Sequence, residues 1–229
     1  MKQIKLLSAF SGLLFMTLGC QKEDNETKPL SEVQVTDQAK KLTPLGACTP
    51  SFYYYINKER SLGNASTQRI VVGFTKQITT EEKKLILTSY GNLDQVIYET
   101  NTGSADATVV SLKNVYDCGH VDEILNTLKL NPEILYANPV YDNADATNYI
   151  GITNQFFVNL KNESSESSFK SLAAKTNVKI VDKLSNLSFI VSADKNSEGN
   201  ALEMANLFYQ NLNARYSEPD FLYLRKQPL

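Results

Sequence analysis

The sequence predicts an α+β fold built from two copies of one βαββαβ unit, on three observations. Two closing segments, Tyr136-Ala137-Asn138-Pro139-Val140-Tyr141 and Tyr216-Ser217-Glu218-Pro219-Asp220-Phe221, share a tyrosine, a proline and a final aromatic eighty residues apart. Before each of them, runs with a strand's two-residue alternation and stripes with helical spacing follow in the same order. Everything upstream of about residue 48 lacks such a pattern and reads as a leader and a linker.

In the first copy, Arg69 to Phe74 is a β-rich run, and Thr79-Thr80-Glu81-Glu82 forms a capping box at the start of a helix that Gly91 is placed to end. Ile86, Leu87 and Tyr90 share one face of that helix. Gln95 to Glu99 and Thr108 to Leu112 read as strands, and Val121, Ile124, Leu125 and Leu128 fall at i, i+3, i+4 and i+7, the apolar stripe of a second helix. Ile134 to Ala137 is the last strand.

The second copy begins with a strand at Phe156 to Leu160, followed by a helix with Phe169, Leu172, Ala173 and Thr176 on one face. Val178 to Leu184 and Leu187 to Ala193 read as strands around a Ser185-Asn186 turn, with Leu187, Phe189 and Val191 on one side. Ala201, Met204, Ala205, Phe208 and Leu212 stripe the second helix, and Tyr216 to Glu218 closes the unit. The order βαββαβ is that of a ferredoxin-like module, in which two helices cover one face of a four-stranded antiparallel sheet. Units of about seventy residues are small for independent folding, so the copies are expected to pack on each other. Pro139 and Pro219 have no N–H to donate, so each is expected to end its strand near the rim.

Ahead of the first copy, Phe52-Tyr53-Tyr54-Tyr55-Ile56 and Asn57-Lys58-Glu59 read as a strand and turn. An N-terminal aromatic hairpin that buries alternate rings on the first copy is expected, and an aromatic platform for a sugar or peptide is the alternative.

The first nineteen residues carry Lys2 and Lys5, then an apolar run from Leu6 to Leu18, then Gly19 before Cys20. The run is short for a membrane span and reads as a secretory signal. Thr17-Leu18-Gly19-Cys20 resembles a lipoprotein signal-peptidase site, although Thr17 stands where such sites usually have leucine, and the resemblance implies lipidation of Cys20. Ordinary cleavage leaving a free thiol is the alternative. Gln21-Lys22-Glu23-Asp24 is similar to the acidic export tag of surface lipoproteins and equally suits a solvated linker. Removing residues 1–19 takes away Lys2 and Lys5 and no acid, moving the formal charge from −2 to −4. No excess of lysine and arginine exists to bind nucleic acid.

With Cys20 lipidated, Cys48 and Cys118 remain, and an oxidising compartment permits a disulfide between them; two free or buried thiols are the alternative. His120, the sole histidine, follows Asp117-Cys118-Gly119. No Gly-rich nucleophile turn accompanies it, and a zinc site wants several histidine or cysteine ligands, so neither a catalytic nor a metal residue is assigned. His120 is placed at the start of the second helix of the first copy.

The two closing segments resemble the Tyr-Ala-Glu-Pro signature of the inhibitor I9 type propeptides of subtilisin-like serine proteases. The hairpin at 52–56 and the segment Asn200 to Asn206 are similar to the amino-terminal prodomain region of fervidolysin-like subtilases. The likeness covers about residues 50–224. It implies tandem propeptide-like modules without a protease domain, because the sequence given stops at Leu229, eight residues past Phe221. The implied organisation is a signal peptide at 1–19, a lipidated cysteine and linker at 20–47, the hairpin and first module at 48–145, and the second module with its tail at 150–229.

Such prodomains press their sheet face on the protease and run an extended tail through its cleft by strand pairing. The resemblance therefore implies no catalytic residue, no cofactor and no metal. It implies a subtilisin-like serine protease as partner, met through Glu218, Pro219, Asp220, Phe221, Leu222, Tyr223, Leu224 and Arg225, with acidic side chains capping protease helices. Asn138 departs from the acidic signature, which makes the first module the weaker one for docking. The expected protein is a non-catalytic lipoprotein of the bacterial outer membrane or cell surface that inhibits or helps fold a protease in trans. The alternatives are a binding or structural lipoprotein reusing the fold, and an orphaned prodomain.

Overall fold

The computed structural model describes residues 50–75, 78–102, 105–114, 116–142, 148–212 and 214–225. The signal segment, Cys20, the linker and Cys48 lie outside them. The described residues belong to one compact unit, Ala39–Leu229.

The elements run β1 (Ser51–Tyr55), β2 (Lys58–Phe74), α1 (Thr80–Thr88), β3 (Leu93–Thr102), β4 (Ala105–Leu112), α2 (Cys118–Lys129) and β5 (Ile134–Asp142). The second half continues with β6 (Asn148–Leu160), α3 (Glu166–Lys175), β7 (Lys179–Lys183), β8 (Ser188–Ser192), α4 (Ala201–Asn211) and β9 (Ala214–Arg225). The fold is a mixed α and β structure on an antiparallel sheet ordered β3-β4-β2-β5-β6-β8-β7, with β9 on the free side of β6 and β1 on β2.

Register relates the halves residue by residue. Ile70, Val71 and Val72 of β2 face Val110, Val109 and Thr108 of β4 and Pro139, Asn138 and Ala137 of β5. Phe156, Phe157 and Val158 of β6 face Val191, Ile190 and Phe189 of β8 and Pro219, Glu218 and Ser217 of β9.

Both prolines lie inside their strands, which corrects the expectation that they end them. The missing N–H is accommodated by the partner strand: the register slips between Ala65 and Ile70 opposite Pro139 and between Ile152 and Phe156 opposite Pro219. A bulge beside the proline lets pairing resume at Tyr141 and Phe221, so β5 and β9 run longer than the alternation alone indicates.

The helices start as their sequences require. Thr79 caps α1 in a reciprocal box with Glu82, and Asn200 does the same for α4 with Glu203. Asp117 caps α2 by accepting from the His120 amide at 2.9 Å. Gly91 does not end α1; Ser89 does, its hydroxyl donating to the Ile86 carbonyl at 2.6 Å. Asn177, at φ 56°, turns the chain out of α3.

The core lies between sheet and helices. Ile70, Val72, Val121, Ile124, Leu125 and Leu128 of the first half join Phe156, Val158, Phe169, Met204 and Phe208 of the second in one buried cluster. Strand alternation sends Val71, Val109 and Val140 to the opposite, outer face, where they are also buried, with Leu222 and Leu224 of β9 packed among them. The outer face of the first half is thus covered by the second. Gly151 permits the approach: a β-carbon there would stand 2.9 Å from Val71 Cγ2 and 3.3 Å from Leu222 Cβ. Arg69 reinforces it, its guanidinium 4.2 Å from the centre of the Tyr149 ring.

The aromatic hairpin also departs from expectation. Its rings pack on the second half: Tyr54 stacks on Tyr209 at 4.7 Å and Tyr53 meets Phe221 edge-on at 4.9 Å. Asn206 donates to the Phe52 carbonyl at 2.8 Å. The cause is the length of β2, whose first residues carry β1 far enough along to reach α4 and β9.

Candidate binding surface

Equivalent positions on the outer face differ sharply between the halves. On the first, Val71, Val109 and Asn138 are buried. On the second, the matching Phe157, Ile190 and Glu218, together with Tyr216, are only half-buried. Two aromatic side chains, one isoleucine and one carboxylate therefore share an accessible strip across β8, β6 and β9. Neither Phe157 nor Ile190 was singled out from the sequence. The available signal is broken alternation, since Phe156-Phe157-Val158 and Phe189-Ile190-Val191 place apolar residues on both faces of their strands.

Partial burial pushes the Glu218 carboxyl above its usual range. It does the same for Asp220, against the opposing pull of a hydrogen bond from the Thr153 hydroxyl at 3.0 Å. Burial also raises the Tyr53 phenol, with Tyr223 and Glu218 adding to the effect. Asn138, at Glu218's place in the first half, donates to the Ile152 and Thr153 carbonyls at 3.2 and 3.0 Å and holds the β6 bulge. Its amide is an internal fastener.

The closing tail is not a free extended segment on the side facing β6. Phe221, Leu222, Tyr223, Leu224 and Arg225 pair with Ile152, Gly151, Ile150, Tyr149 and Asn148. Leu224 is buried and Leu222 partly so against the first half, whereas Tyr223 is 68% exposed. The expected extended tail is thus only partly available to a partner, because β6 and the first half engage Leu222 and Leu224 and leave Tyr223 exposed. Pro219 is buried opposite the β6 bulge.

Cys118 opens α2 and is disulfide-bonded; Cys48 lies outside the described residues. His120 sits in the first turn of α2, with Nδ1 2.8 Å from Asp117 Oδ2. The Asp117 carboxyl is held below its usual range, chiefly by the His120 backbone N–H. In the adjoining cleft Ser89 donates to a helix carbonyl. Among the described residues, no group of three histidine, cysteine or acidic side chains could hold a metal ion.

A polar cleft of about 380 Å³ lies where α2 and β5 meet the 193–200 loop. That loop is fastened across the halves by the Lys195 amide on the Leu135 carbonyl at 2.9 Å and its ammonium on the Asn131 carbonyl at 2.6 Å. Burial pulls the Lys129 ammonium below its usual range there, against the opposing charges of Glu203 and Asp122.

No family model matches the sequence, and no curated protein does. Among solved structures, the small subunit of acetolactate synthase from Thermotoga maritima aligns over 71% of this chain and 98% of that one, with 11% identity and a TM-score of 0.28. A likeness of that size carries no argument about function.

Proposed function

We propose that the halves are tandem ferredoxin-like modules of the subtilase-prodomain kind, and that the chain is a non-catalytic envelope lipoprotein binding a subtilisin-like serine protease in trans. The observation that supports this reading is the half-buried outer face of the second half, with Phe157, Ile190, Tyr216 and Glu218, against the covered equivalent on the first. Both halves have the strand order of such a module, with the first strand between the third and fourth.

The docking surface moves accordingly from the tail to the sheet. Phe157 and Ile190 supply apolar area, and Glu218 supplies a carboxylate for the N-terminus of a partner helix. Tyr223 is the member of the tail still turned outward. Cys20 would carry the lipid; among the described residues no helix is long and apolar enough to cross a membrane.

The test is titration of residues 21–229 against a panel of subtilisin-like proteases, measuring inhibition and recovery of refolded activity. Phe157→Asp combined with Ile190→Asp is expected to weaken the effect at least about tenfold while leaving the unfolding midpoint in place. No effect of the intact protein at tens of micromolar, about the weak end of specific recognition, rejects the reading in favour of another binding role. Incorporation of a fatty-acid analogue at Cys20, lost in Cys20→Ala, tests the anchor separately.

A further inference from the structure

We propose that the cavity between α1 and the β3–β4 pair is a binding site for a small, uncharged, largely apolar molecule carrying one alcohol or amide group. The cavity measures about 270 Å³, and Leu87, Leu93, Val96 and Val110 line it together with Lys83, Glu99 and Thr108. Thr80, Lys84, Thr88, Asp94 and Gln95, all solvent-exposed, complete the lining, so its buried part is apolar apart from Lys83 and Thr108, the usual make-up of a small-molecule site.

The second half supplies the comparison. Register places Thr108 of β4 where β8 has Phe189. The buried pair on α1 is Lys83 and Leu87, and on α3 it is Phe169 and Ala173. In the second half Phe169 lies 4.5 Å from Phe189 and 5.9 Å from Phe208, so three rings fill the space under the helix. The first half has a lysine and a threonine at the places of two of those rings, and the cavity lies beside them.

Two features select the ligand's chemistry. Thr108 is fully buried, and among the described residues its hydroxyl has no hydrogen-bond partner. A buried hydroxyl left unpaired is costly, and a ligand alcohol or amide would satisfy it. Lys83, the buried cation, is already bound by Glu99 and by Asp106 at 3.1 Å. Its charge is met internally, and Lys84, the other lysine of the lining, is solvent-exposed, so the buried part of the wall offers no spare cation to an acid and favours an uncharged ligand.

The experiment uses the full chain and two probes of nearly equal shape, benzyl alcohol and toluene, with the methyl resonances of Leu87, Leu93, Val96 and Val110 as the readout. Both are expected to shift these methyls saturably in the millimolar range, on the order of what ligands of so few atoms reach. Thr108→Val, nearly the same shape, is expected to weaken benzyl alcohol about fivefold and leave toluene unchanged. Thr108→Phe, which copies the second half, is expected to abolish both. Absence of saturable shifts at about ten times the concentration expected to saturate, or an equal response of both probes to Thr108→Val, overturns the proposal. The Thr108→Val arm decides the matter even where Thr108→Phe does not fold.

Discussion

The outer faces of the two half-sheets have the same register and opposite fates. On the first, Val71, Val109 and Val140 lie under the β6 and β9 ends; on the second, Phe157, Ile190 and Glu218 stay accessible. Apolar content alone does not separate them, because Val71 and Val109 are matched by Phe157 and Ile190. Gly151 contributes to the difference, because a side chain there would collide with Val71 and Leu222 on the covered face. Two halves with matching strand pairing thus differ in whether the outer face is covered.

Removing Leu222 onwards attacks that division most directly. Such a truncation uncovers the first half's outer face and is expected to cost about 4 kcal/mol, from Leu222 and Leu224 burial and lost pairing, measured by urea unfolding. Gly151→Val inserts side-chain atoms where a β-carbon already crowds Val71 and Leu222, and about 3 kcal/mol of destabilisation is expected. An unchanged urea midpoint in that variant would show that the halves are not pressed together at this strand.

Asn138→Val leaves two carbonyls of the β6 bulge without their donor, a loss of about 2 kcal/mol. Glu218→Gln at the matching place is expected to change the unfolding midpoint little, while altering partner binding. Equal destabilisation by the two would erase the distinction between fastener and docking group.

The smallest effect concerns pH. Burial lifts the Asp220 carboxyl, so folding takes up protons at this site; stability from it is full below the ordinary aspartate range and is lost as pH rises through the lifted value. Asp220→Asn is therefore expected to stabilise modestly at neutral pH, with the gain vanishing in acid. Thermal unfolding of both proteins across pH 3–7, the window about the ordinary aspartate range, reads this out.

Much of the core was legible because it rests on period. The α2 stripe of Val121, Ile124, Leu125 and Leu128 is buried as its spacing indicates, as is the α4 stripe of Ala201, Met204, Ala205 and Phe208. Lys83 was not legible, since a lysine at a core position becomes intelligible only once Glu99 and Asp106 are brought to it from other strands. Phe157 and Ile190 were not singled out; broken alternation was the available signal, and alternation cannot say whether an outer face meets solvent or other strands.

The sequence by itself determined the order of elements, the capping box at Thr79 and the stripes that α2, α3 and α4 turn to the sheet, because these depend on neighbours within a few residues. Tertiary structure alone decided that β5 and β9 run on past their prolines, that the hairpin's rings lie on α4 and β9, and that one outer face is covered. Each of these depends on where a bulge or a single glycine lets distant strands meet, and local sequence carries no record of that distance.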